Sequence, residues 1–167
     1  ATKIAKNRLS NDENKLPYIL LGDPALRLNY PTDYQIKTTH TFDTLQALTT
    51  QTIKGYIQAP DHDTAYWFNG KLDVTIFDKI QNITTRDNDE LVEENKKRIT
   101  YTDYPNTLFV GQTDVKDGVF EITFMVPKDI RYNYGNGRIV YYAYDNATQE
   151  EAIGHFEDFT IGGTSSV

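Results

Sequence analysis

Residues 117–126 read Asp-Gly-Val-Phe-Glu-Ile-Thr-Phe-Met-Val, and this stretch decides the class of fold. Phe120, Ile122 and Phe124 recur at every second position, the period of a strand with one buried face, so these three are expected in the core. Asp117-Gly118 is a dipeptide that accepts positive φ at both central positions of a type I′ turn, and on its other side lies a second apolar run, Leu108, Phe109 and Val110. Outward from this hairpin the same texture recurs. Residues 34–37 alternate, and 48–57 predict a strand with Ile53, Gly55 and Ile57 on one face and Lys54 and Tyr56 on the other. Asn69-Gly70 predicts a type I′ turn linking 65–68 (AYWF) to 72–77 (LDVTIF), with Leu72, Val74 and Ile76 pointing one way. Residues 138–144 follow Asn136-Gly137, the last strand is placed at 155–161, and the polar run 86–98 reads as a long loop. No convincing helical period occurs after Tyr34. The expected class is mainly β, a sandwich of seven to eight antiparallel strands.

The amino end has a different texture. Ile4, Ala5 and Leu9 have the spacing of a short helical turn, and 10–14 is a polar break. After Pro17, residues 18–21 (YILL) form a continuous apolar run of the kind buried on both faces of a sheet, and Gly22-Asp23-Pro24 turns it. The string LLGDPALRLNYP at 20–31 therefore reads as the closing strand of one domain joined to the start of the next, and the chain as a piece of a longer protein. Residues 162–166 (GGTSS) have linker composition. The expected organisation is a domain remnant at 1–31, a β-sandwich at 32–163 and a linker at 164–167.

Composition narrows the function. The 167 residues are 38% hydrophobic and 25% charged, with 12 Tyr and 8 Phe, enough apolar area for one core and too little charge for a disordered chain. A net charge of -7 argues against nucleic acid or an anionic membrane as partner, because both are held mainly by Lys and Arg. Cysteine is absent, which removes disulfides, thiolate metal sites and a thiol nucleophile. Neither a signal peptide nor a membrane-spanning apolar run is read, so an export signal would lie outside this sequence.

Residues with chemical potential each have an ordinary reading beside the functional one. Asp61-His62-Asp63 offers metal ligands, but a consecutive trio after Pro60 reads as a solvated loop. Asp87, Asn88, Asp89 and Glu90 carry oxygen ligands suited to calcium, yet the calcium-loop pattern needs Gly at its sixth position, where Val92 stands. His40 and His155 belong to no acid–base or nucleophile motif. Tyr132, Tyr134, Tyr141, Tyr142 and Tyr144 could form a sugar-stacking platform, although aromatics on strands are common for packing alone. Asn82-Ile83-Thr84 and Asn146-Ala147-Thr148 match the short glycosylation acceptor pattern, which arises readily by chance. No catalytic, cofactor-binding or metal residue is assigned, and no cofactor is expected.

LLGDPALRLNYP, FNGKLDVTIFDK, VPKDIRYNYGNGRIVYYAYD and the terminal IGG together resemble the C-terminal part of the gingipain-like cysteine peptidases, on the side of the cell-surface sortases of type IX secretion in Bacteroidetes. The resemblance runs from Leu20 to Gly163, with its segments in the family's order, and rests on packing and turn signatures rather than chemistry. It implies a caspase-like α/β peptidase domain upstream, ending in LLGDPAL, followed by an immunoglobulin-like β-sandwich. The family's catalytic His and Cys belong to that upstream domain, so none carries over to His40, His62 or His155. The charged stretch 90–98 aligns with no family feature. The implied function is a non-catalytic accessory module at the cell surface, outer-membrane associated or secreted. Its implied partner is the peptidase domain of its own parent chain, with other envelope or secretion components beside it and no membrane insertion. A free-standing adhesion or carbohydrate-binding sandwich is the alternative. The apolar 18–28 segment, deprived of a parent sheet, would seek another surface, leaving the chain a monomer or a dimer of fragments.

Overall fold

A computed structural model of the chain describes residues 33–40, 42–86, 98–130 and 133–164. The chain divides into two compact units, Ala1–Tyr30 and Pro31–Val167, and every described residue belongs to the second. The helical turn at 1–9 and the apolar run at 18–21 lie outside the described residues.

Alternation of apolar and polar side chains produces twelve described strands: β1 (Tyr34–His40), β2 (Thr44–Ala47), β3 (Thr50–Gln58), β4 (Gly70–Phe77), β5 (Gln81–Thr84), β6 (Thr100–Asp103), β7 (Thr107–Lys116), β8 (Val119–Met125), β9 (Gly135–Asn136), β10 (Arg138–Asp145), β11 (Glu150–Phe156) and β12 (Thr160–Thr164). The mainly β expectation holds: no helix occurs among the described residues. Seven strands close on themselves in the order β1-β11-β10-β4-β7-β8-β3, so the main sheet is a closed barrel. It is not wholly antiparallel. β1 runs parallel to β11, because no hairpin links these two strands and nothing in the connection forces their directions apart.

Closure is uneven around the ring. β1 meets β11 through two residue pairs, Tyr34 with Ala152 and Gln35 with Ile153, and β7 meets β8 through Val115–Phe120 and Lys116–Val119. The other seams run five to eight pairs, as where β4 lies along β7 and β10. The barrel thus has a broad face of β11, β10, β4 and β7 and another of β1, β3 and β8, joined at two narrow corners.

Between the faces lies the core. Leu72, Val74 and Ile76 of β4, Ile53 and Ile57 of β3, and Ile139 and Ala143 of β10 are fully buried, and Phe120, Ile122 and Phe124 of β8 are buried as their period demands. Phe109 and Phe124 bring their rings to 4.9 Å, and Phe120 meets Tyr141 across the core at 5.8 Å. Asp117 and Gly118 both have positive φ, 50° and 72°, and close the β7–β8 hairpin as expected.

Three expected strands are corrected. The strand placed at 48–57 begins at Thr50. Leu48 adopts φ 64°, which breaks the chain there and leaves β2 as a separate strand. The strand placed at 65–68 is a turn, closed by Phe68 N–H donating to Ala65 O at 2.9 Å, which buries Ala65 and Phe68 and leaves Tyr66 and Trp67 outside. Asn69-Gly70 accordingly makes no type I′ turn, and neither residue has positive φ. Gly70 is needed for close approach instead, since a Cβ there would lie 2.0 Å from Tyr144 O. The strand placed at 155–161 is split, β11 ending at Phe156 and β12 starting at Thr160, because Phe159 between them turns into the core beside Phe42 at 5.3 Å. β12 then pairs with β2 and β9 in a small separate sheet.

Ile76→Ala, at a fully buried position, is expected to cost about 2–5 kcal/mol. Met125→Ala, on the open face of β8 at 66% exposure, should stay within about 0.5 kcal/mol. Urea midpoints at unchanged slope measure both. Tyr141 gives a second check. Burial pushes its hydroxyl up to about 12, opposed by the hydrogen bond with Thr38 Oγ1 at 2.9 Å. The folded chain therefore keeps this proton where the unfolded chain loses it, and stability from Tyr141 is complete below about pH 10 and declines as pH rises toward the folded value. Tyr141→Phe should flatten that alkaline decline in urea melts at pH 9 to 11.

Candidate functional site

At the start of β11 the Glu150 carboxylate gathers three donors, two of them from distant parts of the chain. The Tyr34 hydroxyl donates to Oε1 at 2.5 Å, Trp67 Nε1 donates to Oε2 at 3.1 Å, and Thr148 Oγ1 donates to Oε2 at 3.2 Å. The hydrogen bond with Glu150 and partial burial raise the Tyr34 pKa. Trp67 stays 50% exposed, so the carboxylate holds an open indole at the end of the barrel where β1 begins, and its neighbour Tyr66 is 67% exposed beside it in the chain. Rigid aromatic surface of this kind is the usual anchor of a protein contact. The carboxylate itself is engaged by three donors inside the fold.

Beneath this cluster the buried Asp145 ties the β10–β11 turn to the start of β4. Its side chain accepts from Asn69 N–H at 3.0 Å, Ala147 N–H at 2.8 Å and Thr148 N–H at 3.4 Å. The Asn69 amide is the main cause of its lowered pKa, with Ala147 and Thr148 helping and burial opposing. Gln149 at φ 60° completes the turn.

A second prominent feature is an arm. β5 and β6 pair antiparallel from Gln81–Asp103 to Thr84–Thr100 and continue the line of β4 and β7 beyond the barrel. At its root Asp78 and Lys79 are both buried, with Lys79 Nζ donating to Asp78 Oδ1 at 2.8 Å. Tyr104 packs beside Phe77 at 6.4 Å, with the Arg138 guanidinium 4.3 Å over its ring and Arg138 Nε donating to Glu157 Oε1 at 2.5 Å. Ile80, Ile99 and Tyr101 are exposed along the arm.

The residues singled out from the sequence are dispersed. Asp61-His62-Asp63 form an exposed loop, with Asp63 N–H donating to Asp61 Oδ1 at 3.2 Å and His62 at φ 73°, in accord with the loop reading. Residues 87–90 and Tyr132 lie outside the described residues. His155 is exposed on β11. The tyrosine platform does not assemble: Tyr141 is buried, Tyr142 and Tyr144 share the opposite face of β10 at 6.2 Å, and Tyr134 stands apart on the approach to β9. Consecutive strand residues point to opposite faces, so 141 and 142 could not serve one surface. Asn82 and Asn146 are both exposed. Among the described residues no group of three His, Asp or Glu side chains is placed to hold a metal, and no helix is long and apolar enough to cross a membrane. The Glu150 cluster and the arm were missed from the sequence. Trp67 is the single tryptophan of the chain, and its position beside a turn dipeptide was the available signal.

No protein-family model matches the chain, and no curated protein matches it. Among solved structures it is similar to dimeric latent PorU from Porphyromonas gingivalis, at 33% identity and a TM-score of 0.65, over 88% of this chain and 14% of that one. The chain thus spans about one seventh of the length of PorU and is related to one segment of it. The sporulation control protein Spo0M from Bacillus subtilis is 10% identical over 80% of this chain and 50% of its own, with a TM-score of 0.44. A conjugative transposon lipoprotein from Bacteroides eggerthii is 12% identical over 77% of this chain and 97% of its own, with a TM-score of 0.38.

Asp145 supplies the prediction. Its folded pKa lies below the ordinary carboxylate value, so its stabilisation is present above about pH 4 and is lost as pH falls through the folded value. Asp145→Ala leaves three amide donors without their acceptor, for a cost of about 1–3 kcal/mol at neutral pH. The variant's stability should also fall less between pH 5 and 3 than that of the parent chain, measured by urea midpoints across that range; parallel curves would refute the assignment.

Proposed function

We propose that this chain is a non-catalytic accessory module of a gingipain-like surface cysteine peptidase or sortase of type IX secretion, and that it supports and positions the peptidase domain of its parent. The observation that carries the reading is the 33% identity to PorU across 88% of the chain, at a TM-score of 0.65. In this reading the barrel is an immunoglobulin-like sandwich whose two layers are the β11-β10-β4-β7 and β1-β3-β8 faces. The thin corners, two residue pairs each, favour that description. The module works at the cell surface, outer-membrane associated or secreted, as part of the longer chain.

The chemistry of the described residues fits a scaffold. The sequence has no cysteine, the histidines His62 and His155 are exposed and far apart in the chain, and the carboxylates of Glu150 and Asp145 are engaged with donors inside the fold. A support needs a surface that a neighbouring domain recognises, and the exposed Tyr66 beside the Glu150-clamped Trp67 offers one.

The test compares the parent protein with three variants: one lacking this module, one carrying Trp67→Ala with Tyr66→Ala, and one carrying Met125→Ala on the opposite part of the barrel. Deletion should abolish a stable, active peptidase, the aromatic double variant should lower its activity or thermal midpoint, and Met125→Ala should leave both unchanged. The isolated module should turn over no peptide substrate. A fully active and stable parent without the module, or peptide cleavage by the module alone, would overturn the proposal.

A further inference from the structure

Asparagine is followed by glycine twice, at Asn69-Gly70 and Asn136-Gly137. Packing demands both glycines. A Cβ at Gly70 would lie 2.0 Å from Tyr144 O, and one at Gly137 would lie 2.4 Å from Ile161 Cδ1 and 2.8 Å from the Phe159 ring. The fold thereby imposes a labile pair at both places, because no Cβ crowds a glycine nitrogen and its backbone turns freely toward the preceding side-chain amide.

The two asparagines are held very differently. Asn69 is locked at both ends of its amide: Nδ2 donates to Trp67 O at 3.0 Å, and Oδ1 accepts from Asp117 N–H at 3.0 Å. Its own N–H donates to the buried Asp145 at 3.0 Å, and Gly70 opens β4, a strand of eight residues paired along both edges. Asn136 is exposed, and its side chain makes no hydrogen bond among the described residues. Its strand, β9, is two residues long and meets β12 through Thr160–Asn136 and Ile161–Gly135. Asn136 O also accepts from Ile80 N–H at 3.2 Å, at the root of the β5–β6 arm, where Gly135 lies against Lys79.

We infer that Asn136 is a site of spontaneous amide-to-acid conversion in the folded chain, that Asn69 is protected, and that the conversion releases the root of the arm. The Gly137 nitrogen gives up its proton and bonds to Asn136 Cγ. The Cγ–Nδ2 bond breaks and ammonia leaves with that proton, closing a succinimide ring. Water then opens the ring at either carbonyl to give Asp or isoAsp, so one water enters for each ammonia lost. The attack requires the peptide after Asn136 to rotate out of its extended form, and a two-residue strand opens at small cost. At Asn69 the same rotation must first break two side-chain hydrogen bonds and the end of a long strand, which slows it about tenfold or more. In the isoAsp product the peptide to Gly137 runs through Cγ, and the former main-chain carbonyl becomes a free carboxylate. β9 can then no longer keep its register with β12 while presenting that oxygen to Ile80 N–H. The site is separate from Tyr66 and Trp67, and its chemistry goes beyond the supporting role.

The test incubates the full 167-residue chain in warm, mildly alkaline buffer, folded and in parallel in concentrated urea. Mass spectrometry with isoaspartyl methyltransferase labelling follows the peptides that contain 69–70 and 136–137. In urea both sites should convert at similar rates. In the folded chain Asn136 should convert at least about tenfold faster than Asn69. Asn136→Gln should remove the fast signal and leave the thermal midpoint unchanged. Hydrogen exchange on the converted protein should be faster at the Ile80 amide and unchanged in β4. A folded chain in which Asn136 converts no faster than Asn69, or in which neither site converts while both do in urea, would overturn the assignment. Unchanged exchange at Ile80 after conversion would overturn the release of the arm.

Discussion

The inward row of β4 is the constraint from which the rest of the structure follows. Leu72, Val74 and Ile76 are buried to zero exposure on a strand that pairs along its whole length with β7 on one side and β10 on the other. Each neighbour must then present its own apolar alternation to the same interior, and Ile139, Tyr141 and Ala143 of β10 do so. Apolar burial at about 25 cal/mol per Å² acts along the full ladder here, whereas the two corners carry a pair or two of hydrogen bonds. The barrel is therefore strong through its centre and weak at its seams, and the seam between β1 and β11 is where it opens into a cleft.

Polar groups finish what the core begins. The buried Asp145 satisfies three amides, two in the β10–β11 turn and one just before β4, and Tyr141 spans to Thr38 on the far face. Both are interior devices, consistent with the raised and lowered proton affinities that their surroundings impose. The Glu150 cluster differs, because it reaches the surface and its effect is to hold the exposed indole of Trp67 in one attitude.

Much of this was legible in the sequence wherever one side chain in two is buried. β3, β4, β8 and β10 follow their alternation, and Asp117-Gly118 makes the turn that its chemistry allows. Legibility failed where long-range packing set local shape. Leu48 in the left-handed region carries no propensity signal, since branched apolar residues rarely go there. Ala65 to Phe68 are apolar enough for a strand, but two of the four are buried by a turn. Phe159 ends a strand early because a pocket beside Phe42 accepts it. The site was less legible still: Tyr34, Trp67 and Glu150 are separated by 116 and 83 residues of chain, and nothing local announces that they meet.

The root of the β5–β6 arm has a bearing on how such a domain diversifies. Asp78 and Lys79, with Tyr104 wedged between Phe77 and Arg138, anchor the arm to the barrel below the point where its own strands begin. Everything beyond that anchor adds loop-closure entropy that grows only slowly with length. The arm is consequently a place where sequence can be inserted, trimmed or exchanged among relatives while the barrel keeps its register, a grafting point that changes what the surface offers without renegotiating the interior.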